Sequence, residues 1–432
     1  LAVNIAILIF ENKSHKEEIA MYLTRFGVKN YKCLGEIDIP LTPIHVLIGE
    51  NDSGKSSLLE AIEIFNGSAN DQLSNVLPNI WEINELICYR SQQPYIAFEG
   101  EFLVPPHDKY KDEKICYGFS VEGKNDSFII SNEWIRSSPL NKFSLKSHES
   151  FNRTALYTLK QQVVSEVITL GSIEHRIRDS DEMKSIVHTI SNIINPAHSY
   201  SFKSKELASP TSININRKFR MDRNGYGLAT LLDDLLGYDA KEYVRLCEEF
   251  CLLFPQFRNI RIESTEIQSV YNDGPRGPTG PGQIGKGIFF ETRSGKTVRA
   301  GMVSDGALLI LGFLALTHIP IPPPLLLIEE PENGIYPKRL GEIIQLLQKL
   351  AKGDNNVRFP QIILTTHSPY VLSFFKPEEV TFLSRPPGDP DGPVRARPLS
   401  QAPNIHERLA DGDFYLGELW YNLSEEDLFG AA

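Results

Sequence analysis

The stretch "IHVLIGENDSGKSSLLEAIEIF", from Ile44 to Phe65, limits what this chain can fold into more than any other part of it. Gly49 to Ser56 fits G-x-x-x-x-G-K-[ST], with an apolar run before it and an amphipathic run after it. That is the strand, loop and helix order in which the pattern cradles phosphate. The glycines allow backbone N–H groups to approach phosphate oxygens, and the helix N-terminus adds the positive end of its dipole. The candidate nucleotide-binding residues here are Gly49, Asn51, Ser53, Gly54, Lys55, Ser56 and Ser57. Lys55 is placed to reach the outer phosphates as a point charge, and Ser56 to hold Mg²⁺.

Three further stretches bear on the same chemistry. "LLLIEEPENG" is a continuous apolar strand ending in Glu329 and Glu330. Beside a phosphate loop, one of these carboxylates would serve the metal and the other polarise an attacking water. "VSDGALLILGFLA" puts Ser304 and Gly306 at a helix start about 25 residues before the carboxylates. Ser304 reads as an N-cap, or as part of a second anion site for the γ-phosphate of ATP held by another subunit. "ILTTHSP" places His367 just after another buried strand, where it reads as a satisfied core or capping residue, or as a group that would meet the γ-phosphate and the attacking water.

Three regions separate along the chain, after an extension at 1–20 that carries little weight. Residues 21–134 hold the phosphate loop and a set of short antiparallel strands such as "YIAFEGEFLV" and "ICYGFSVEG". Residues 135–258 read as a compact helical insertion, with "VVSEVITL", "MKSIVHTISNII" and "GLATLLDDLLG" its clearest helices. Across 259–432 strands return and then alternate with helices, which is the pattern of a parallel α/β sheet. The linker "NDGPRGPTGPGQIG" between two of these strands has too few Gly-Pro-X triplets for a collagen helix and reads as a hairpin tip.

The formal net charge of -11 excludes a protein coated in positive potential, so any nucleic-acid contact has to be local. From Ser131 to Arg223 there are 14 Lys and Arg against 9 Asp and Glu. Lys203, Lys205, Arg217, Lys218, Arg220 and Arg223 gather there as a candidate nucleic-acid surface, double-stranded DNA first. The five cysteines form no CxxC pair, which favours a reducing, cytoplasmic setting, and Cys247 and Cys251 read as one apolar helix face rather than a metal site. No apolar run has the length of a membrane span, and "LAVNIAILIF" has no basic residue ahead of it, so neither a span nor a signal peptide is expected.

The order of these pieces resembles the ATP-binding-cassette ATPases. More narrowly it is similar to the branch that includes RecF, the SMC proteins and the overcoming-lysogenisation-defect (OLD) nucleases. "GENDSGKSS", "SDG", "LLLIEEPENGIYP" and "TTHSP" are most similar to predicted ATPases of that branch grouped in the AAA family, many of which sit in bacterial antiphage operons. The resemblance implies an α/β fold: a P-loop ABC-type ATPase head with a mixed or antiparallel β subdomain and a helical insertion. It implies ATP and Mg²⁺ as cofactors, and a dimer with two ATP between subunits, Lys55 and Ser56 facing the partner's signature residues equivalent to Ser304 and Gly306. Glu330 would be the general base and His367 the γ-phosphate sensor. Glu329 and a glutamine would serve the metal: Gln92 or Gln93, with Gln93 preferred, or else Gln161 or Gln162. Two positions depart from the family pattern. Glu329 stands where many relatives carry aspartate, and "SDGA" lacks the second glycine and the glutamine of the full signature.

Three functions compete on this basis. The first is an ATP-driven sensor or switch acting on DNA or on a separately encoded effector, such as a nuclease or toxin, in bacterial defence or DNA maintenance. The second is a scaffold that binds ATP to oligomerise and hydrolyses little. The third is the nucleotide-binding subunit of a transporter, which the roughly 250 residues between Lys55 and Ser304 disfavour. Only 65 residues follow His367, too few for the nuclease domain that OLD proteins carry there, so any nuclease is expected on another chain.

Overall fold

The computed structural model describes residues 22–69, 71–77, 85–91, 93–104, 113–124, 127–137, 143–145, 194, 197–212, 219–267, 283–320, 322–352, 360–386, 388–410, 415–422 and 428–429. The extension at 1–20, the two helices expected within 146–193, the Gly-Pro linker, Gln92, Gln161, Gln162, Arg217 and Lys218 lie outside them.

The chain opens with strands β1 (Tyr22–Tyr31) and β2 (Leu34–Pro40), followed by β3 (Ile44–Ile48), whose five residues are all buried. Helix α1 (Lys55–Ser68) follows the phosphate loop. Next come β4 (Tyr95–Val104), β5 (Glu113–Lys124), β6 (Ser127–Ser137) and the short β7 (Phe143–Leu145). These form an antiparallel sheet in the order β2-β1-β4-β5-β6-β7. Phe65 of α1 anchors the helix on this sheet, its ring 5.6 Å from Phe26, 6.2 Å from Phe102 and 6.1 Å from Phe119.

Beyond β8 (His198–Tyr200) and β9 (Thr211–Ser212), helices α2 (Leu228–Tyr238) and α3 (Ala240–Leu253) lead to the hairpin of β10 (Phe257–Ile267) and β11 (Gln283–Thr292), with β12 (Thr297–Arg299) alongside. Helix α4 (Asp305–Thr317) is buried continuously from Ala307 to Leu316. A helix apolar on every side has to lie inside a core, and that is where it sits. Then β13 (Leu325–Glu329), α5 (Pro337–Lys352), β14 (Gln361–Thr366), β15 (Val380–Ser384) and β16 (Arg395–Pro398) complete the chain's sheets.

The central sheet runs β16-β15-β3-β14-β13-β8 and is parallel except at β16. Its inner strands are covered on both faces, and their side chains alternate between two cores. Val46, Ile48, Leu326, Ile328, Ile362 and Leu364 join α2 to α5, whereas Leu47, Leu325, Leu327 and Ile363 join α1 and the antiparallel sheet. The continuous apolar strands in the sequence are the result of this double burial. Gln361 fixes the two sheets together: its amide donates to Leu23 O at 2.8 Å and Thr42 O at 3.0 Å, and accepts from Leu23 N at 3.0 Å.

The described residues of the span 135–258 include two short strands as well as the helix expected around 228–238. β8 pairs in parallel with β13 in the central sheet, β9 pairs with β11, and α2 and α3 share the core of α4. A three-residue strand such as β8 carries too short a pattern to announce itself in the sequence, and its pairing supplies what its own length does not.

Candidate functional site

β3, β14 and β13 are neighbouring parallel strands, so their C-terminal ends open on one edge of the sheet. The phosphate loop leaves β3 there. Asp52 and Gly54 take left-handed backbone conformations, with φ of 65° and 85°. A side chain at position 54 would be strained, and its Cβ would also come within 3.0 Å of Val394 and 3.1 Å of Cys33, so glycine is required. Lys55 is buried and its Nζ donates to Gly49 O at 2.8 Å and Glu50 O at 2.7 Å. Burial lowers its pKa, while Glu330, Glu332, Glu329 and Glu50 act in the opposite direction to keep it charged. Ser53 is buried with a hydroxyl that has no hydrogen-bond partner, and Arg385 grips the loop from outside through Asp52 O at 3.2 Å. Asn51 and Ser56 are exposed, and Ser57 faces Cys33.

β13 ends at Glu329, and Glu330 turns the chain with φ of 46°, a left-handed conformation for a residue with a side chain. The turn is held by Glu330 N, which donates to Thr365 O at 3.1 Å and Thr365 Oγ1 at 3.2 Å. Asn333 Nδ2 donates to Glu330 Oε2 at 2.7 Å. His367 follows β14 directly, with Nδ1 at 3.5 Å from both Glu330 Oε1 and Glu332 Oε1. Lys55, Glu330 and His367 are thus brought to one edge.

Glu332 was not singled out in the sequence, yet it organises this corner. Its Oε1 accepts from Thr366 Oγ1 at 2.6 Å and His367 N at 3.0 Å, while its Oε2 is buried with no partner. The signal available was its place two residues after the paired acids, before "NG", where a solvated loop acid is the ordinary reading.

Ser304 is the N-cap residue of α4, but its side chain makes no cap bond to the helix. Ser304 and Asp305 are exposed, Met302 just before them is 81% exposed, and the position of a Cβ on Gly306 meets nothing within 4 Å. No described hydrogen bond or ion pair joins Ser304 or Gly306 to the phosphate loop of the same chain. A cavity of about 340 Å³ lies beside this helix end, lined by Lys203, Lys205, Asp305, Asn333 and Gly334 among others. Gln93 is exposed and accepts from Asn30 Nδ2 at 3.4 Å, with no described bond to Ser56, Glu329 or Glu330.

The basic residues divide. Lys203, Lys205 and Arg220 are exposed. Arg223 reaches the site itself: its Nη2 lies 3.0 Å from Glu329 Oε2 and its Nη1 3.9 Å from Glu63 Oε2 of α1.

The donor set suits Mg²⁺–ATP. A lysine, an unpartnered buried hydroxyl and a glycine-lined loop suit a polyphosphate, and strand-end carboxylates with the Ser56 hydroxyl suit a hard cation. Among the described residues no three His, Cys, Asp or Glu form a metal cage, which a magnesium ion sharing phosphate oxygens does not require.

The profile of the family described as "AAA domain, putative AbiEii toxin, Type IV TA system" matches residues 44–373, from β3 to just past His367. The chain belongs to this family. It is an AAA domain of ATPase type, and the profile spans every motif described above. An "OLD nuclease" of Thermus scotoductus is 22% identical over 362 residues. The match covers 80% of this chain and 59% of that protein, so the chain spans somewhat over half the length of this relative. Among solved structures, an SMC head bound to the C-winged helix domain of ScpA is 16% identical, with 87% of this chain and 97% of that one covered and a TM-score of 0.49. An SMC head from Pyrococcus furiosus is 14% identical, with 90% and 100% covered and a TM-score of 0.46. No helix among the described residues is long and apolar enough to cross a membrane.

Proposed function

We propose that the chain is an ATP-hydrolysing switch that closes as a dimer around two ATP molecules and acts on double-stranded DNA or on a separately encoded effector. The observation that carries this reading is the convergence of Lys55, Glu330 and His367 beyond the ends of three adjacent parallel strands, with His367 Nδ1 3.5 Å from the carboxylates of both Glu330 and Glu332. Ser56 and Glu329 would hold Mg²⁺, which would supply neutralisation of phosphate charge.

The chain's own groups divide the remaining work. Lys55 draws the outer phosphates into the loop. Glu330 takes a proton from the attacking water, and its strained turn fixes the carboxylate rather than leaving it to sample solvent. His367, oriented through its backbone by Glu332, meets the γ-phosphate side. The exposed end of α4, with an uncommitted Ser304 cap and open space at Gly306, faces outward as a second anion site for a partner copy's nucleotide. The basic segment around Lys203, Lys205, Arg217, Lys218 and Arg220 is the DNA-facing surface in this reading. An OLD-like relation together with the basic segment is what favours defence or DNA maintenance over transport.

A scaffold with little turnover is the second reading, and one observation favours it: Glu329 is already engaged by Arg223.

The test is the ATP hydrolysis rate at one fixed low salt concentration, with and without linear double-stranded DNA. Lys55→Ala is expected to lose nucleotide binding, and Glu330→Gln to keep ATP bound while turnover falls about 10²- to 10⁴-fold. Equal turnover in Glu330→Gln and the parent would remove Glu330 as the base. Stimulation by DNA that disappears when Arg217, Lys218 and Arg220 are neutralised supports the DNA-acting form. A rate indifferent to DNA moves the weight to a protein effector.

A further inference from the structure

The ion pair between Arg223 and Glu329 joins residues 106 positions apart in sequence, from a segment whose charge otherwise suggests a solvated face. Its backbone is firmly placed. Ser201 N donates to Arg223 O at 2.7 Å, Lys203 N to Asn224 O at 2.9 Å, and Asp222 N to Tyr226 O at 2.8 Å. Gly225 turns there with φ of 93°, and a Cβ on it would meet Leu207 at 2.6 Å, so the turn is packed as well as hydrogen-bonded. The segment Ser201–Lys203 that holds this turn follows directly on β8, and β8 is in register with β13, Tyr200 opposite Ile328, one residue before Glu329. The register therefore delivers the guanidinium to the end of β13.

Glu63 completes the arrangement. It lies on α1, the helix that begins with Lys55 and Ser56, and its Oε2 accepts from Ser199 Oγ at 2.7 Å while facing Arg223 at 3.9 Å. One guanidinium thus faces the phosphate-loop helix, the strand-end acid and the edge strand together.

We propose that Arg223 is a positioning residue that competes with Mg²⁺ for the Glu329 carboxylate, so that loading of metal and nucleotide displaces its guanidinium. This rests on the reading of Glu329 as the metal-side acid. The pair suits displacement because the Arg223 side chain is 51% exposed, and half-exposed pairs bias an equilibrium by about fivefold at most. The same displacement would report nucleotide loading to the basic segment, since Arg223 belongs to it.

The test is binding of a fluorescent ATP analogue to the full chain in a Glu330→Gln background, titrated with Mg²⁺ at fixed analogue and low salt. Arg223→Gln and Arg223→Ala are each expected to lower the Mg²⁺ concentration at half-binding by about threefold to fivefold, and Arg223→Lys to stay near the parent. The difference should shrink in high salt, which screens an exposed pair. Adding Glu329→Gln should abolish the effect of Arg223→Gln, because the guanidinium then has no carboxylate to hold. An unchanged or raised midpoint in Arg223→Gln, with Mg²⁺-dependent binding intact in the parent, overturns the proposal alone. Absence of Mg²⁺-dependent binding in the parent overturns it together with the reading of the site.

Discussion

Glu330 combines a left-handed backbone with the position of the proposed general base, and the two can be separated by comparing Glu330→Ala with Glu330→Gly. Both substitutions remove the carboxylate, the bond from Asn333 at 2.7 Å and the approach of His367 at 3.5 Å, so these contributions cancel between them. What remains is the backbone at φ of 46°. A residue with a Cβ costs about 1–2 kcal/mol there, and glycine does not. Against that, glycine loses about 0.5–1 kcal/mol through the greater freedom of its unfolded chain. The difference leaves Glu330→Gly more stable than Glu330→Ala by about 0.5–1 kcal/mol, the reverse of the order at an ordinary site. Denaturant unfolding of the two variants side by side measures it, with the shift read as a midpoint change at constant slope. Turnover should be lost in both, by about 10²- to 10⁴-fold. A Glu330→Gly protein less stable than Glu330→Ala by the ordinary glycine penalty would refute the claim that the base sits on a strained turn.

Glu332→Ala should lower stability by about 1–3 kcal/mol, because Thr366 Oγ1 and His367 N are left without their acceptor; thermal or denaturant midpoints check this, and a loss under 0.5 kcal/mol contradicts it. Ser304→Arg should leave ATP binding by one subunit intact and block closure; size measurement in a Glu330→Gln background with ATP reads this, and a persisting ATP-trapped dimer counts against the sandwich. His45 is buried between Thr42 and Thr381, and burial pushes its pKa down to about 3, while His198 is pushed down to about 4. Both are neutral in the fold and protonate readily once unfolded, so their contribution is complete above about pH 6.5 and is lost as pH falls toward 4. At pH 5 each costs about 2 kcal/mol. Unfolding midpoints at pH 7 and pH 5 should differ accordingly, and His45→Gln should flatten the slope.

The residues that could be read from the sequence are those whose job is written locally. The phosphate loop places its glycines, Lys55 and Ser56 within eight positions, and the apolar strands before Gly49, after Leu325 and before His367 declare their double burial by having no polar face. Glu332 and Arg223 were not legible in the same way. The first acts on a strand exit 34 residues later, and the second acts across an edge pairing that three residues form. Such roles depend on the register between strands, which no window of sequence contains. The strands within 135–258 were hidden for the same reason, since β8 and β9 find their partners more than 70 residues away, in β13 and β11.

Glu329 in place of the usual aspartate becomes coherent once the neighbouring strand is considered. Adjacent strands lie about 4.8 Å apart, and Arg223 approaches from the β8 side of β13. An aspartate carboxylate would sit one methylene closer to the backbone and reach sideways less. The extra methylene of glutamate lets Oε2 meet the guanidinium at 3.0 Å while the strand register stays unchanged. The longer acid therefore belongs with the arginine. A change at either partner alone would leave the other without the opposite charge it meets here.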